Sequence, residues 1–372
     1  MNSSGNHSHD GFKGAVTTRI ERGPRWQCSP YLSPSCVIHN HHELYGKVCL
    51  KVENLSKDGL GLVTDQPIGM LVSGMRLDGA VHFPGLGVEQ VKLELRWIKQ
   101  VSDGPFDVVR LGAKVIKSSP SYLPCVGQYL FQHVREAAIT DIWQAGILIQ
   151  SVASGVIYNF VQSEEDYREV LELRKETYPW VRLSNQKIRL EELGDVYDTR
   201  AKILYARHHG KSVGSLRLVF HDGDDCLEML EHVDSKLITE DFPSKESLVE
   251  VTRICICPDF RKGDLMLGML KMAIVTMLQH GREWMVGGSE AGLLPFYKAL
   301  GAKATNLKYQ WNRGGISTEV TVIIFNVRDF LNGIDVNHTI WELMAPDIIT
   351  FARNNDIPIN FIFGGNPLHS EA

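Results

Sequence analysis

The chain has 372 residues, 44% hydrophobic and 22% charged, with a formal net charge of −5. That length suits about two domains, each with a real core; the composition is that of a globular protein rather than a disordered or fibrous one, and the acidic surplus argues against nucleic acid as the main partner. Seven cysteines with neither a Cys-x-x-Cys pair nor zinc spacing indicate no disulfide framework and no metal, and fit a cytoplasmic location.

Residues 1–14 are rich in Ser, Asn and His without an apolar run, so they read as a disordered tail and neither a signal peptide nor an anchor. Residues 15–118 carry short alternating apolar runs between Gly, Pro, Asp and Asn, such as 46–53, 91–98 and 108–116, which predict a small antiparallel barrel. Ahead of the strands stands a basic knot, Arg19-Ile-Glu-Arg22-Gly-Pro-Arg25. After one of them comes Asn54-Leu-Ser56-Lys-Asp-Gly59. Arginines offer bidentate forks to phosphate and planar faces to purines, and the glycine permits close backbone approach. The histidines His39, His41 and His42 suit a polar loop better than a metal site.

This order of features, with Trp97 and Leu111-Gly112-Ala-Lys-Val following, resembles the PilZ family over the first third of the chain. The resemblance implies a six-stranded barrel that binds cyclic di-GMP, with Arg19, Arg22 and Arg25 on phosphates and guanines and Asn54, Ser56 and Gly59 opposite. One departure stands out: the family's two arginines have three residues between them, whereas only two separate each pair here. A barrel that only scaffolds is the alternative.

Residues 119–150 open on Ser118-Ser-Pro-Ser-Tyr-Leu-Pro124 and continue from Gly127 at helical spacing, so they predict a helical linker able to transmit a binding signal. Residues 151–330 read as alternating helices and strands around a central sheet. A helix is expected over Glu164–Tyr178 and a strand hairpin over Asp198–Arg207 and Val213–Phe220. The strand Leu248–Cys257 breaks at Pro258-Asp-Phe-Arg261-Lys262-Gly263-Asp264, and a Met-rich helix follows to about His280. A strand at 284–287 and a helix at 293–302 complete the unit. Glu250 and Arg253 sit inside an apolar strand, where an unpaired charge is costly. Cys255 and Cys257 read as small buried hydrophobes.

A strand entering Pro-x-x-Arg-x-Gly and then a helix presents free N–H groups to a phosphate, with Arg261, Lys262 and Gly263 alongside. With Pro295-Phe-Tyr297-Lys-Ala-Leu-Gly301 beyond it, the unit resembles the GNAT acyltransferase superfamily. Arg174, Tyr178, Asp195, Asp198, Arg217, Glu250 and Arg253 follow the order seen in acyl-homoserine-lactone synthases, while the Tyr297 segment looks like FeeM-type N-acyl amino acid synthases. The resemblance implies an N-acyltransferase moving a long acyl chain from acyl carrier protein or acyl-CoA to an amino acid amine, with a product that partitions into membrane. The missing second small residue after Gly263 favours the carrier protein.

On that reading Glu250 is the base, Tyr297 the acid, and N–H groups near Ile256 and Cys257 the oxyanion donors. Arg217 and Arg253 bind the acceptor's carboxylate or pair with Asp195, Asp198 and Glu250, beside Arg174 and Tyr178. Met266, Met269, Met272 and Met277 line an acyl tunnel or are simply core. Residues 331–372 are an unassigned extension. The alternatives are an acyl-homoserine-lactone synthase and a non-enzymatic cyclic di-GMP receptor.

Overall fold

The computed structural model describes residues 23–39, 47–357 and 359, except 67, 69–70, 104–105, 180, 182–187, 222–226, 235, 237, 239–241 and 314. The tail 1–14, Arg19, Arg22, His41 and His42 lie outside the described residues. By packing, the chain divides into two compact units: up to Val126 with 144–147, and 127–143 with 148–372.

The first unit is built from β1 (Trp26–Gln27), β2 (Ser35–His39), β3 (Lys47–Ser56), β4 (Gly59–Thr64), β5 (Arg76–Phe83), β6 (Gly87–Asp103) and β7 (Phe106–Ser118). The ladder runs β3-β2-β5-β6-β7-β4 and closes where β4 pairs back with β3, so six strands form an antiparallel barrel and the two-residue β1 extends one side of β3. The alternation read from the sequence sets which residues face inward: Val48, Leu50, Val52 and Leu55 of β3 are buried while Lys47, Cys49 and Lys51 face solvent. Leu60, Leu62, Val81, Leu93, Leu95 and Leu111 meet them in the core. The β3–β4 register slips between Val52 and Asn54, and such a bulge re-aims the side chain beside it.

Helix α1 (Tyr122–His133) begins before Gly127, with Pro124 in its first turn, where a missing N–H costs nothing. α2 (Ile139–Gln144) is separate, so the linker is two helices rather than one.

The second unit holds β8 (Ile157–Phe160), α3 (Glu164–Thr177), β9 (Lys202–His208), β10 (Lys211–Phe220), α4 (Glu228–His232), β11 (Leu248–Ile256), α5 (Leu265–Gln279), β12 (Trp284–Glu290), α6 (Leu294–Ala299), β13 (Lys303–Arg313), β14 (Ile316–Asn326), α7 (Val327–Leu331) and α8 (His338–Asn354). Its sheet runs β13-β14-β12-β11-β10-β9-β8 and is antiparallel except at β11–β12. Ser163 caps α3 by accepting the Asp166 N–H, and three acidic residues in the first turn suit the helix dipole. The hairpin begins at Lys202, not Asp198, because Asp195 and Asp198 form a reciprocal capping box around a 3₁₀ turn at 196–200.

Two irregularities shape this sheet. The parallel strands β11 and β12 pair only at Leu248–Trp284, Val249–Met285 and Glu250–Val286 before the ladder ends. On the other side of β11, the register against β10 slips between Ser215–Cys255 and Arg217–Thr252, where Arg253 takes the left-handed φ of 53°. The described part of the expected extension packs on the second unit: α8 runs along α5, Lys271 pairs with Asp347, and Met344, Ala345 and Ile348 are buried. Among the described residues no helix is long and apolar enough to cross a membrane.

Candidate active site

Successive side chains of a strand face opposite sides of the sheet, and β10 shows it. Gly214 lies against Leu265 and Met269 of α5, whereas Arg217 enters a cluster of charges. On β11 the bulge interrupts alternation: Thr252 Oγ1 accepts from Arg217 Nε at 3.0 Å, and the next residue, Arg253, joins the same cluster. With regular alternation Arg253 would point to the opposite face.

The cluster is dense. Arg174 from α3 grips Asp198 with two bonds, of 2.5 and 3.0 Å, and donates to the Leu193 carbonyl at 3.2 Å. Tyr167 donates to the same carboxylate at 2.8 Å. Arg217 pairs with Asp195, Asp198 and Glu228. Arg253 reaches Asp195 at 2.5 Å and Glu228 at 2.6 Å, and its guanidinium lies 4.7 Å from the Trp311 ring centre. Arg174 and Arg217 are fully buried, and burying such charges is tolerable only because each is paired.

Glu250, only 1% exposed, does not join these ion pairs. Its carboxylate accepts the N–H groups of Glu228 at 2.8 Å and Met229 at 3.0 Å, so it caps α4 from the neighbouring strand. Burial first, and then the charge of Glu228, push its pKa up to about 7. Asp198 goes the other way: burial alone would raise it, but the Arg174 hydrogen bonds and the charges of Arg174 and Arg217 hold it down at about 2. Asp195 is lowered likewise, with Arg253 and Arg217 outweighing burial.

On the other face of β11, Val251 and Ile254 line an open apolar slot with Leu270, Ile274, Met285 and Tyr297, with a cavity volume of about 40 Å³. Burial raises the Tyr297 phenol pKa. Of α5, Leu270 and Ile274 line the slot; Met266, Met269, Met272 and Met277 do not, and Met269 and Met277 are buried in the core. Met344 of α8 lines it instead.

Two sequence expectations need correction. The oxyanion donors placed near Ile256 and Cys257 are not both free, because the Cys257 N–H donates to the Val213 carbonyl at 2.9 Å. Arg217 does not pair with Glu250, and its Nε, Nη1 and Nη2 are all committed within the cluster. Arg253 keeps one donor in reserve: Nη1 is buried and makes no hydrogen bond. Glu228 is the carboxylate that sequence reasoning missed. Nothing in the polar sequence around 228 distinguishes it. Tyr178 sits at the end of α3, and desolvation raises its pKa.

Arg261 and Lys262 are exposed in the loop before α5; Arg261 Nε donates to the Ile256 carbonyl at 3.0 Å. No side chain caps α5, so its first N–H groups have no side-chain acceptor.

In the barrel, Arg25 is the described member of the basic knot. A Cβ on Gly59 would lie 3.2 Å from Ser56 Oγ and 3.6 Å from Arg25 Nη2, so these three residues meet. The Asn54 carboxamide covers Gly61, where a Cβ would come within 2.3 Å of Nδ2, and Asn54 Oδ1 is buried without a hydrogen bond. Trp97 covers Gly112 in the same way. Among the described residues no group of His, Cys, Asp and Glu is arranged to hold a metal ion.

Residues 173–271, within the second unit, match the sequence model of the acetyltransferase (GNAT) domain, and the first unit is a six-stranded antiparallel barrel. Among solved structures, the chain is similar to FeeM, an N-acyl amino acid synthase from uncultured soil microbes, at 11% identity and a TM-score of 0.36, over 48% of this chain and 94% of that one. It is similar to BjaI, a CoA-dependent acyl-homoserine lactone synthase solved with SAM and isopentyl-CoA, at 19% identity and 0.39, over 52% and 89%. It is also similar to the PilZ domain of YcgR from Escherichia coli, solved with c-di-GMP, at 22% identity and 0.24, over 28% and 82%. No curated protein matches the chain.

Proposed function

We propose that this protein is an N-acyltransferase that moves a long fatty acyl chain from an acyl carrier protein or acyl-CoA thioester to the amine of an amino acid, under the control of cyclic di-GMP bound by the barrel. The observation that carries the reading is the division of labour across β11 where it parts from β12. An apolar slot suited to an acyl chain lies on one face, and a charged cluster containing a near-neutral carboxyl lies on the other.

Amide formation needs a base for the attacking amine, donors for the oxyanion and an acid for the departing thiolate. Of the four carboxyl groups gathered here, Asp195, Asp198 and Glu228 are paired with arginines. Glu250 carries no described salt bridge, and a pKa of about 7 suits a base at neutral pH. Tyr297, beside the slot and protonated at neutral pH, supplies the leaving thiolate with a proton. Arg253 Nη1 is the spare donor for the acceptor's carboxylate, while Arg174, Arg217 and Asp198 hold the cluster rigid. Arg261, Lys262, Gly263 and the first turn of α5 take the donor phosphate.

In the barrel, Asn54 Oδ1 without a partner and Gly59 beneath Arg25 are the features a guanine edge and a phosphate would complete. Arg19 and Arg22 would join from outside the described residues.

Mass spectrometry of lipid extracts from a host expressing the wild type and Glu250→Gln tests the reading. Long-chain N-acyl amino acids are expected from the wild type and their loss from the variant. Acylated lactones would indicate the second reading, which the order of Arg174, Asp195, Asp198, Arg217, Glu250 and Arg253 favours; no new lipid from folded wild type would leave a receptor. Titrating the full chain with cyclic di-GMP, beside Arg25→Ala, tests the barrel.

A further inference from the structure

The loop assigned to the donor phosphate ends in Asp264, at the N-cap of α5. An aspartate there ordinarily has an extended backbone and turns its carboxylate onto the N–H groups of the first helical turn. Asp264 does neither: its φ and ψ are −89° and 15°, and it makes no side-chain bond to its own helix. Its carboxylate instead accepts from the Ser151 hydroxyl at 2.7 Å and from the Ala153 N–H at 2.9 Å. Between those two residues, Val152 packs on the loop so closely that a Cβ on Gly263 would lie 2.4 Å from its Cγ2. Ser151 is fixed in turn by the buried Gln128 carboxamide, which donates to its carbonyl and accepts its N–H, both at 3.0 Å.

This detour has an electrostatic consequence. The Gly268 N–H bonds the Asp264 carbonyl at 3.1 Å, so the N–H groups of Leu265, Met266 and Leu267 have no acceptor within the helix. They carry the positive end of the helix dipole. A carboxylate in ordinary cap geometry would occupy them and repel a phosphate by its own charge.

We propose that Asp264 decides whether this cradle is open to the phosphate of a phosphopantetheine arm. Held on Ser151 and Ala153, it leaves the first turn of α5 to the donor. Released from them, it caps the helix and shuts the donor out. Ser151 and Gln128 are positioning residues that act through Asp264. This rests on the reading of the chain as an acyltransferase with a phosphopantetheine donor.

The test compares the full-length wild type, Ser151→Ala, Asp264→Ala and the double variant, each checked for an unchanged thermal unfolding midpoint. Coenzyme A binding is measured by calorimetry, and steady-state kinetics use acyl-CoA and acyl carrier protein in separate arms. Ser151→Ala should weaken coenzyme A binding and raise the donor KM about tenfold, the loss expected for one hydrogen bond to a charged group, with kcat near that of the wild type. Asp264→Ala should bind at least as tightly as the wild type. The double variant should match Asp264→Ala, since no carboxylate remains to be held away. An effect in one arm alone supports the proposal and identifies the source of the phosphate.

Wild-type donor affinity in Ser151→Ala would overturn it. So would equal weakening by Asp264→Ala, the result for a merely structural latch. If the wild type binds neither coenzyme A nor the carrier protein, the donor reading fails and this proposal with it; if the wild type binds and Ser151→Ala is indistinguishable from it, only this proposal fails.

Discussion

Glu250 and Asp198 are both buried carboxyl groups on one face of the same sheet, yet burial controls one and ion pairing the other. Asp198 is held at about 2, below its ordinary 3.8. Its contribution to stability is therefore present above pH 3.8 and is lost as the pH falls through about 2. Asp198→Asn would leave Arg174 buried with half its partner gone, and urea unfolding at pH 7 should show a loss of about 3–5 kcal/mol. Glu250 has the opposite sign. Raised from 4.5 to about 7, it stabilises the fold fully below pH 4.5, and that contribution is lost as the pH rises through about 7, a decline on the order of 3 kcal/mol. Glu250→Gln should flatten this decline in urea melts taken between pH 5 and 8. The same variant should lower the acyl-transfer rate by roughly 10²–10⁴-fold and remove its rise through pH 7; a retained rise would exclude Glu250 as the base.

At the scale of elements, the site is made by two departures from regular pairing in β11. The ladder to β12 stops after Glu250, which opens the slot, and the bulge at Thr252–Arg253 puts a third guanidinium, beside those of Arg174 and Arg217, in the cluster. Gly287 keeps the opening narrow: a Cβ there would stand 2.8 Å from the Val251 carbonyl. Gly287→Ala must push backbone against backbone and should cost about 1–3 kcal/mol, with a changed preference for acyl chain length in competition assays. In the barrel the equivalent contact is softer. Gly61→Ala would displace the Asn54 side chain rather than a strand, so the barrel should stay folded while the calorimetric affinity for cyclic di-GMP falls about tenfold, the effect of one misplaced hydrogen-bonding group. Strand alternation, the helix that starts at Glu164 and the Met-rich helix were legible because their signals are local. The bulge was not, since a positive φ at an arginine has no sequence signature.

For the molecule as a whole, the proposed control by cyclic di-GMP predicts that adding the dinucleotide to the full chain changes its acyl-transfer rate, and that Arg25→Ala removes the response; a rate indifferent to cyclic di-GMP in a protein that binds it would exclude control. Helix α1 is one covalent connection between the units, which divide inside it at Val126 and Gly127, and Gln128 is the residue that fixes Ser151. By itself the sequence determined the barrel, the α/β sheet and the order of charged residues from Arg174 to Arg253. The barrel and the sheet rest on period-two or period-3.6 burial, which neighbours in sequence carry, and the order of charges rests on a family resemblance. Which charges meet was decided only by tertiary structure. Asp195, Glu228 and Arg253 come from three separate elements, so Glu228 replaced Glu250 as the arginines' partner and left Glu250 near neutrality. The place of Met344 in the slot and the hold of Ser151 on Asp264 were decided in the same way, because burial and long-range hydrogen bonds exist only once distant segments have packed.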